Sequence, residues 1–280
     1  MIKRLINNLV FFFRGRKIRF NPVFIIGCGR SGTTILGETL SQHPRIKYLN
    51  ERRDLWHKAY PEFDIWTGDY LNPKMIANEN DYSEKKTELL RKLFYKQQLF
   101  GKSKVLLEKL PINNFRLNFI KKSFPEAKFI YLYRNGLEVS RSIKQKIVQG
   151  KWFGKDDLKL NLLLKLTKRK NLNLHKFVLS DIHKGMLEWR LSIEESHDFF
   201  RNLTSERFIH FSYQDFIRNP NNILGEIFSF LELDSSEEVL CKLSKNITSK
   251  NKPIYDTKDI NLKEIGGEIL KKTIKNCYSP

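Results

Sequence analysis

Three glycines within six residues, Gly27, Gly29 and Gly32, enclose Arg30 and Ser31 and run into Thr33 and Thr34. Glycine lets a backbone come close to an oxyanion, and hydroxyls and a guanidinium donate to it. A helix that starts at Thr33 aims its unpaired N–H groups into the same loop. The pattern is an anion cradle. Its spacing approaches the triphosphate loop G-x-x-x-x-G-K-[ST], but Thr33 stands where the lysine that reaches the β- and γ-phosphates is required, and the cation is Arg30. Such a loop suits a short anionic group without a triphosphate tail.

Other residues with chemical potential follow short apolar runs. Glu51 comes after Ile46–Asn50, Lys109 after Lys104–Glu108, and Arg134 after Lys128–Tyr133. A carboxylate can take a proton, a lysine can neutralise developing charge, and a planar guanidinium can grip a phosphate through two bonds. Ser142 lies eight residues beyond Arg134, inside a helical pattern starting at Leu137, and Lys146 lies one turn further on the same face.

The elements that must position them read as strands alternating with helices. Val23–Ile26 and the runs above give four strands, and Phe208–Phe211 gives a fifth, leading into Tyr213. The alternation predicts an α/β fold of three layers, a central parallel sheet covered on both faces, with ligands outside the carboxyl ends of the strands. No linker divides residues 1–280, so one domain is expected. Leu55 to Tyr82 has no clear period and reads as a long functional loop. Residues 155–180, rich in Leu, Lys and Asn, read as an insertion or lid whose helix is solvated.

Net charge is +20, from 51 Lys and Arg against 31 Asp and Glu, which predicts anionic partners; a Lys-, Asn- and Ile-rich composition gives the same excess. The basic residues are spread along the chain and no nucleic-acid-reading motif is present, so no specific nucleic acid is expected. Cys28, Cys241 and Cys277 show no metal spacing and point to a reducing, cytoplasmic setting without disulfides. Residues 1–20 set Leu9–Phe13 among six basic residues. They form either a helix packed on the domain or a peripheral contact with an anionic membrane.

Gly29-Arg30-Ser31-Gly32-Thr33-Thr34 resembles the 5′-phosphosulfate loop of sulfotransferases that use 3′-phosphoadenosine 5′-phosphosulfate (PAPS), and Arg134 with Ser142 resembles their 3′-phosphate site. The nearest resemblance is to the tyrosylprotein-sulfotransferase-like and bacterial branch, which has a P-loop-like fold. Glu51, twenty-one residues after Arg30, falls where that branch carries its catalytic glutamate, and Lys146 corresponds to a further basic residue. Glu108-Lys109-Leu110-Pro111 is similar to the family's lysine-bearing segment, with Leu110 in place of a polar residue. Tyr213-Gln-Asp-Phe is similar to its nucleotide-contacting segment. Ser249 matches the serine of a late loop that closes over the nucleotide, whose following lysine corresponds to Lys252, Lys258 or Lys263.

The resemblance implies metal-free sulfuryl transfer from PAPS to an acceptor hydroxyl. Glu51 is then the base, with Arg30, Lys109 and Ser249 on the sulfuryl and leaving-group charge. Ser31, Gly32, Thr33, Thr34, Arg134, Ser142, Lys146 and Tyr213 hold the nucleotide. Glu108 is a rival base or the partner of a lysine. A nucleotide kinase is disfavoured by the missing loop lysine, and a nucleic-acid-binding protein is suggested by charge alone.

Overall fold

The computed structural model describes residues 21–67, 70–101, 103–150, 152–172, 178–245, 247, 254 and 256–278. The segment 1–20 and the late-loop residues Ser249 and Lys252 lie outside the described residues. Strands β1 (Val23–Ile26), β2 (Ile46–Asn50), β3 (Val105–Lys109), β4 (Lys128–Tyr133) and β5 (Phe208–Ser212) form a parallel sheet ordered β2-β3-β1-β4-β5. With β1 between β3 and β4, the chain first fills one side of β1 with β2 and β3 and then the other side with β4 and β5. The crevice at the strands' carboxyl ends opens there.

Strand alternation sorts the side chains into two cores. Phe24, Ile26, Leu106, Phe129 and Tyr131 face one layer, packed by the helices Glu84–Gly101, Gly136–Val148, Asp181–Phe200 and Ile260–Tyr278. Val23, Ile25, Leu107, Ile130 and Leu132 face the other, packed by Thr33–Ser41, Pro220–Phe230 and Glu237–Ser244. The three-layer α/β architecture expected from the sequence is the one observed.

Two segments differ from expectation. The stretch read as a long loop holds a helix, Arg53–Ala59, and two 3-10 turns, Pro61–Phe63 and Glu79–Asp81. It is ordered by a group remote in sequence. The buried Arg116 guanidinium donates to the carbonyls of Phe63 (2.6 Å), Lys74 (3.1 Å) and Met75 (3.1 Å) and lies 4.7 Å from the Phe63 ring centre. The insertion likewise carries a packed helix, Leu158–Arg169, that buries Lys159, Leu160, Leu163, Leu166 and Thr167, so it is not a solvated one.

Replacing Arg116 by Met leaves three carbonyls, two of them in fully buried bonds, without their donor. Bonds to a charged donor are each worth about 1.5–3 kcal/mol, so Arg116→Met is expected to lower unfolding free energy by about 3 kcal/mol or more. Urea denaturation reads this, and a loss under about 1 kcal/mol would contradict the anchoring role.

Candidate functional site

The glycine loop leaves β1 and turns through two residues with left-handed backbone, Arg30 (φ 73°) and Gly32 (φ 96°). Glycine is required at position 32 on two counts. The dihedral favours it, and a β-carbon there would lie 2.4 Å from Cδ2 of Tyr213. Helix Thr33–Ser41 then begins with no side-chain cap, so the amides of its first turn face the loop. The Ser31 hydroxyl is buried and has no protein partner. A donor so placed fits an anionic group of a ligand.

Lys109, the last residue of β3, stands in register with Ile25 of β1 and Asn50 of β2. Its side chain is 1% exposed, and its Nζ donates to Thr34 Oγ1 (3.0 Å) and to Glu51 Oε1 (2.7 Å). The lysine missing from the loop is thus supplied by the neighbouring strand. Glu51 turns out of β2 with φ 51°. Its amide donates to the Lys109 carbonyl (2.8 Å), and its Oε2 accepts from Arg53 Nη2 (3.2 Å). Partial burial pushes the Glu51 carboxyl up, but the hydrogen bond and charge of Lys109, with Arg53 beside it, outweigh burial and hold it below the usual carboxylate range.

Glu108 points to the opposite face from Lys109. It is not paired with a lysine: it accepts from Trp56 Nε1 (3.0 Å) and Asn113 Nδ2 (2.8 Å) in the interior. Burial pushes its carboxyl up to about 8 against the Trp56 hydrogen bond and the charges of Lys109 and Arg116. It braces Trp56, and hence the helix that follows Glu51, rather than facing the loop.

Arg134 follows β4 and is buried. Its Nε donates to Glu138 Oε2 (2.7 Å), its Nη1 lies 3.4 Å from the Arg30 carbonyl, and its guanidinium carbon sits 4.1 Å from the Tyr213 ring centre. Gln214 Nε2 donates to the same Glu138 oxygen (3.2 Å), and Trp189 Nε1 to the Arg134 carbonyl (2.9 Å). Ser142 accepts from Arg30 Nε at 3.0 Å. The structure therefore brings together Arg30, Ser31, Gly32, Thr33, Thr34, Glu51, Lys109, Arg134, Ser142 and Tyr213. Within that set, Arg30 leans toward Ser142 and Arg134 rather than toward Lys109. Lys146 donates to Gln149 (2.9 Å) on the surface, and Lys263 pairs with Asp256 (2.9 Å). Among the described residues no cluster of three or more His, Cys, Asp or Glu is arranged to hold a metal ion.

Glu138 and Gln214 are site residues that the sequence reading missed. Glu138 carried a signal, a carboxylate one helical turn from Arg134; Gln214, beside Tyr213, carried none.

A family model described as the sulfotransferase family matches residues 22–237. The chain belongs to the sulfotransferase family. It is 20% identical to a protein-tyrosine sulfotransferase of Drosophila melanogaster over 236 residues, 78% of this chain and 39% of that protein. It is 21% identical to protein-tyrosine sulfotransferase A of Caenorhabditis elegans over 232 residues, 78% of this chain and 51% of that one. The chain thus spans about half or less of the length of these curated relatives. The fold is shared with a sulfotransferase of Mycobacterium avium (TM-score 0.55, 14% identity, 99% of this chain and 79% of that one). It is shared also with the sulfotransferase domain of a Synechococcus olefin synthase (TM-score 0.53, 19% identity, 85% and 83%).

The Glu108 carboxyl titrates higher when folded than when unfolded. Its contribution to stability is therefore complete below the unfolded carboxylate value and is lost as pH rises through about 8. Unfolding free energy measured from pH 5 to 9 is expected to decline over this window in the native protein and to decline less in Glu108→Gln. Parallel curves would show that Glu108 is ionised in the fold.

Proposed function

We propose that this sulfotransferase moves a sulfuryl group from PAPS to an acceptor hydroxyl. The observation that carries the reading is the placement of Lys109, whose Nζ bonds the threonine of the anion loop and the Glu51 carboxylate together. The donor brings a sulfuryl group joined through oxygen to a nucleotide 5′-phosphate, and 3′-phosphoadenosine 5′-phosphate (PAP) departs. The loop amides, Ser31, Gly32, Thr33 and Thr34 would hold the 5′ end. Arg134 and Ser142, with Lys146 at the rim, would take the 3′-phosphate, and Tyr213 would fix the loop and Arg134 against each other. Ser249 would add a donor at the leaving oxygen, and one of Lys252, Lys258 and Lys263 would follow it.

Glu51 would remove the acceptor proton. A new O–S bond forms, the S–O bond to the nucleotide breaks, and its electron pair goes to the 5′-phosphate oxygen, whose charge Lys109 and Arg30 stabilise. In the structure Lys109 weakens Glu51 as a base. When the ammonium turns to the donor's charge, Glu51 loses a counter-ion and its proton affinity rises. Lysine and arginine supply the positive charge, and the reading invokes no metal.

The curated relatives' names make a tyrosine phenol one acceptor class, beside carbohydrate, lipid and small-molecule hydroxyls. The free cysteines Cys28, Cys241 and Cys277 support a cytoplasmic setting, and no described helix is long and apolar enough to cross a membrane. The basic, apolar segment 1–20 would give a peripheral membrane contact.

Labelled-sulfate transfer from PAPS to a panel of phenols, glycans and lipids tests the activity. Glu51→Gln is expected to lower transfer by about 10²–10⁴ while PAP affinity stays within about threefold of wild type; retained turnover would remove Glu51 from the base role. Arg134→Ala is expected to weaken PAP binding by about 10–100-fold in calorimetry, since a buried charge-assisted contact is lost. An unchanged dissociation constant would place the 3′-phosphate elsewhere.

A further inference from the structure

The middle glycine of the anion loop stands apart from the others. Gly29 has no left-handed backbone, so alanine could adopt its dihedrals without strain. A β-carbon at position 29 would nevertheless lie 3.0 Å from Cη2 and 3.1 Å from Cζ2 of Trp152, with Glu188 Oε1 next at 3.9 Å. Trp152 belongs to the segment that enters the insertion, between Gly150 and Gly154, both at φ 80°.

The half-buried indole is tethered at its polar edge. Its Nε1 donates to Glu188 Oε2 (2.8 Å) on the long helix Asp181–Phe200, and the other oxygen of that carboxylate accepts from Lys159 Nζ (2.5 Å). Lys159 and Glu188 are both buried, although one belongs to the insertion helix and the other to the domain core. The Lys159 ammonium sits 5.0 Å from the Trp152 ring centre. A desolvated ion pair of this kind holds geometry strictly, because removing either partner strands the other charge.

We propose that Trp152 demands glycine at position 29, and that Trp152 is a positioning residue through which the insertion presses the anion loop into its binding shape. Glu188 and Lys159 lock the indole, and the indole meets the loop one residue before Arg30. The loop amides that would hold the donor therefore depend on a contact made by the segment leading into the insertion. The proposal rests on the PAPS reading for its consequence in binding, but the contact itself can be measured without ligand.

The test is a double-mutant cycle between Gly29→Ala and Trp152→Phe in the full chain, read by thermal unfolding and by calorimetric titration with PAP. Phenylalanine keeps an aromatic filler and lacks the benzo-ring atoms that face position 29. In the native background Gly29→Ala overpacks a locked contact and is expected to lower both melting temperature and PAP affinity, the latter by about tenfold. In the Trp152→Phe background the same change should cost less than about twofold in affinity and leave melting temperature unmoved. Trp152→Leu serves as a second background should the phenylalanine variant be poorly folded.

Equal losses in both backgrounds, or no loss in the native one, would overturn the proposal. A shift in melting temperature alone, with PAP affinity unmoved, would reduce the contact to a structural one and also overturn it. Absence of PAP binding by the unmodified protein would sink the PAPS reading instead, while the thermal cycle would still report on the contact.

Discussion

A single buried ammonium sets the architecture of the site. Lys109 ends a central strand, and its charge cannot sit in the interior without partners. Those on hand are the hydroxyl of Thr34, at the start of the loop's helix, and the carboxylate of Glu51, at the exit of β2. The left-handed turn at Glu51 and its amide bond to the Lys109 carbonyl follow from bringing that carboxylate back over the strand end. Parallel register does the rest, since it aligns Ile25, Asn50 and Lys109 at one level of the sheet. A loop that lacks a lysine of its own is served by one from the adjacent strand.

Two cations of the site already hold carboxylates, Lys109 that of Glu51 and Arg134 that of Glu138, whereas Arg30 bonds the Ser142 hydroxyl. The chain's net +20 is therefore little guide to this crevice. An anionic donor must displace or share carboxylate partners, so binding there is an exchange of partners rather than simple attraction. On the proposed function, exchange at Lys109 would also change the proton affinity of Glu51 and so link occupancy of the anion site to readiness for proton removal.

Much of this was legible in the sequence because it is local. Four-residue apolar runs such as Val23–Ile26 declare a buried strand, and three glycines with Arg30 and two threonines declare an anion loop. The strand-end positions of Glu51, Lys109 and Arg134 followed from those runs. What escaped depends on distant partners. The stretch from Leu55 to Tyr82 has no period because its order comes from Arg116, 41 to 53 residues from the carbonyls it binds. The insertion helix looked solvated because its segment is rich in Leu, Lys and Asn, and the burial of Lys159 rests on a pairing with the distant Glu188. Glu108 beside Lys109 looked like an ion-pair partner, yet strand alternation sends the two to opposite faces.

The central claim is that Lys109 couples the anion loop to the base. It is tested most directly by single-turnover transfer of labelled sulfate from PAPS in the native protein and in Lys109→Met, with PAP affinity measured alongside. The account predicts measurable transfer by the native protein, a fall of about 10² or more in the variant, and PAP affinity changed far less than the rate. Equal rates in the two proteins would contradict it.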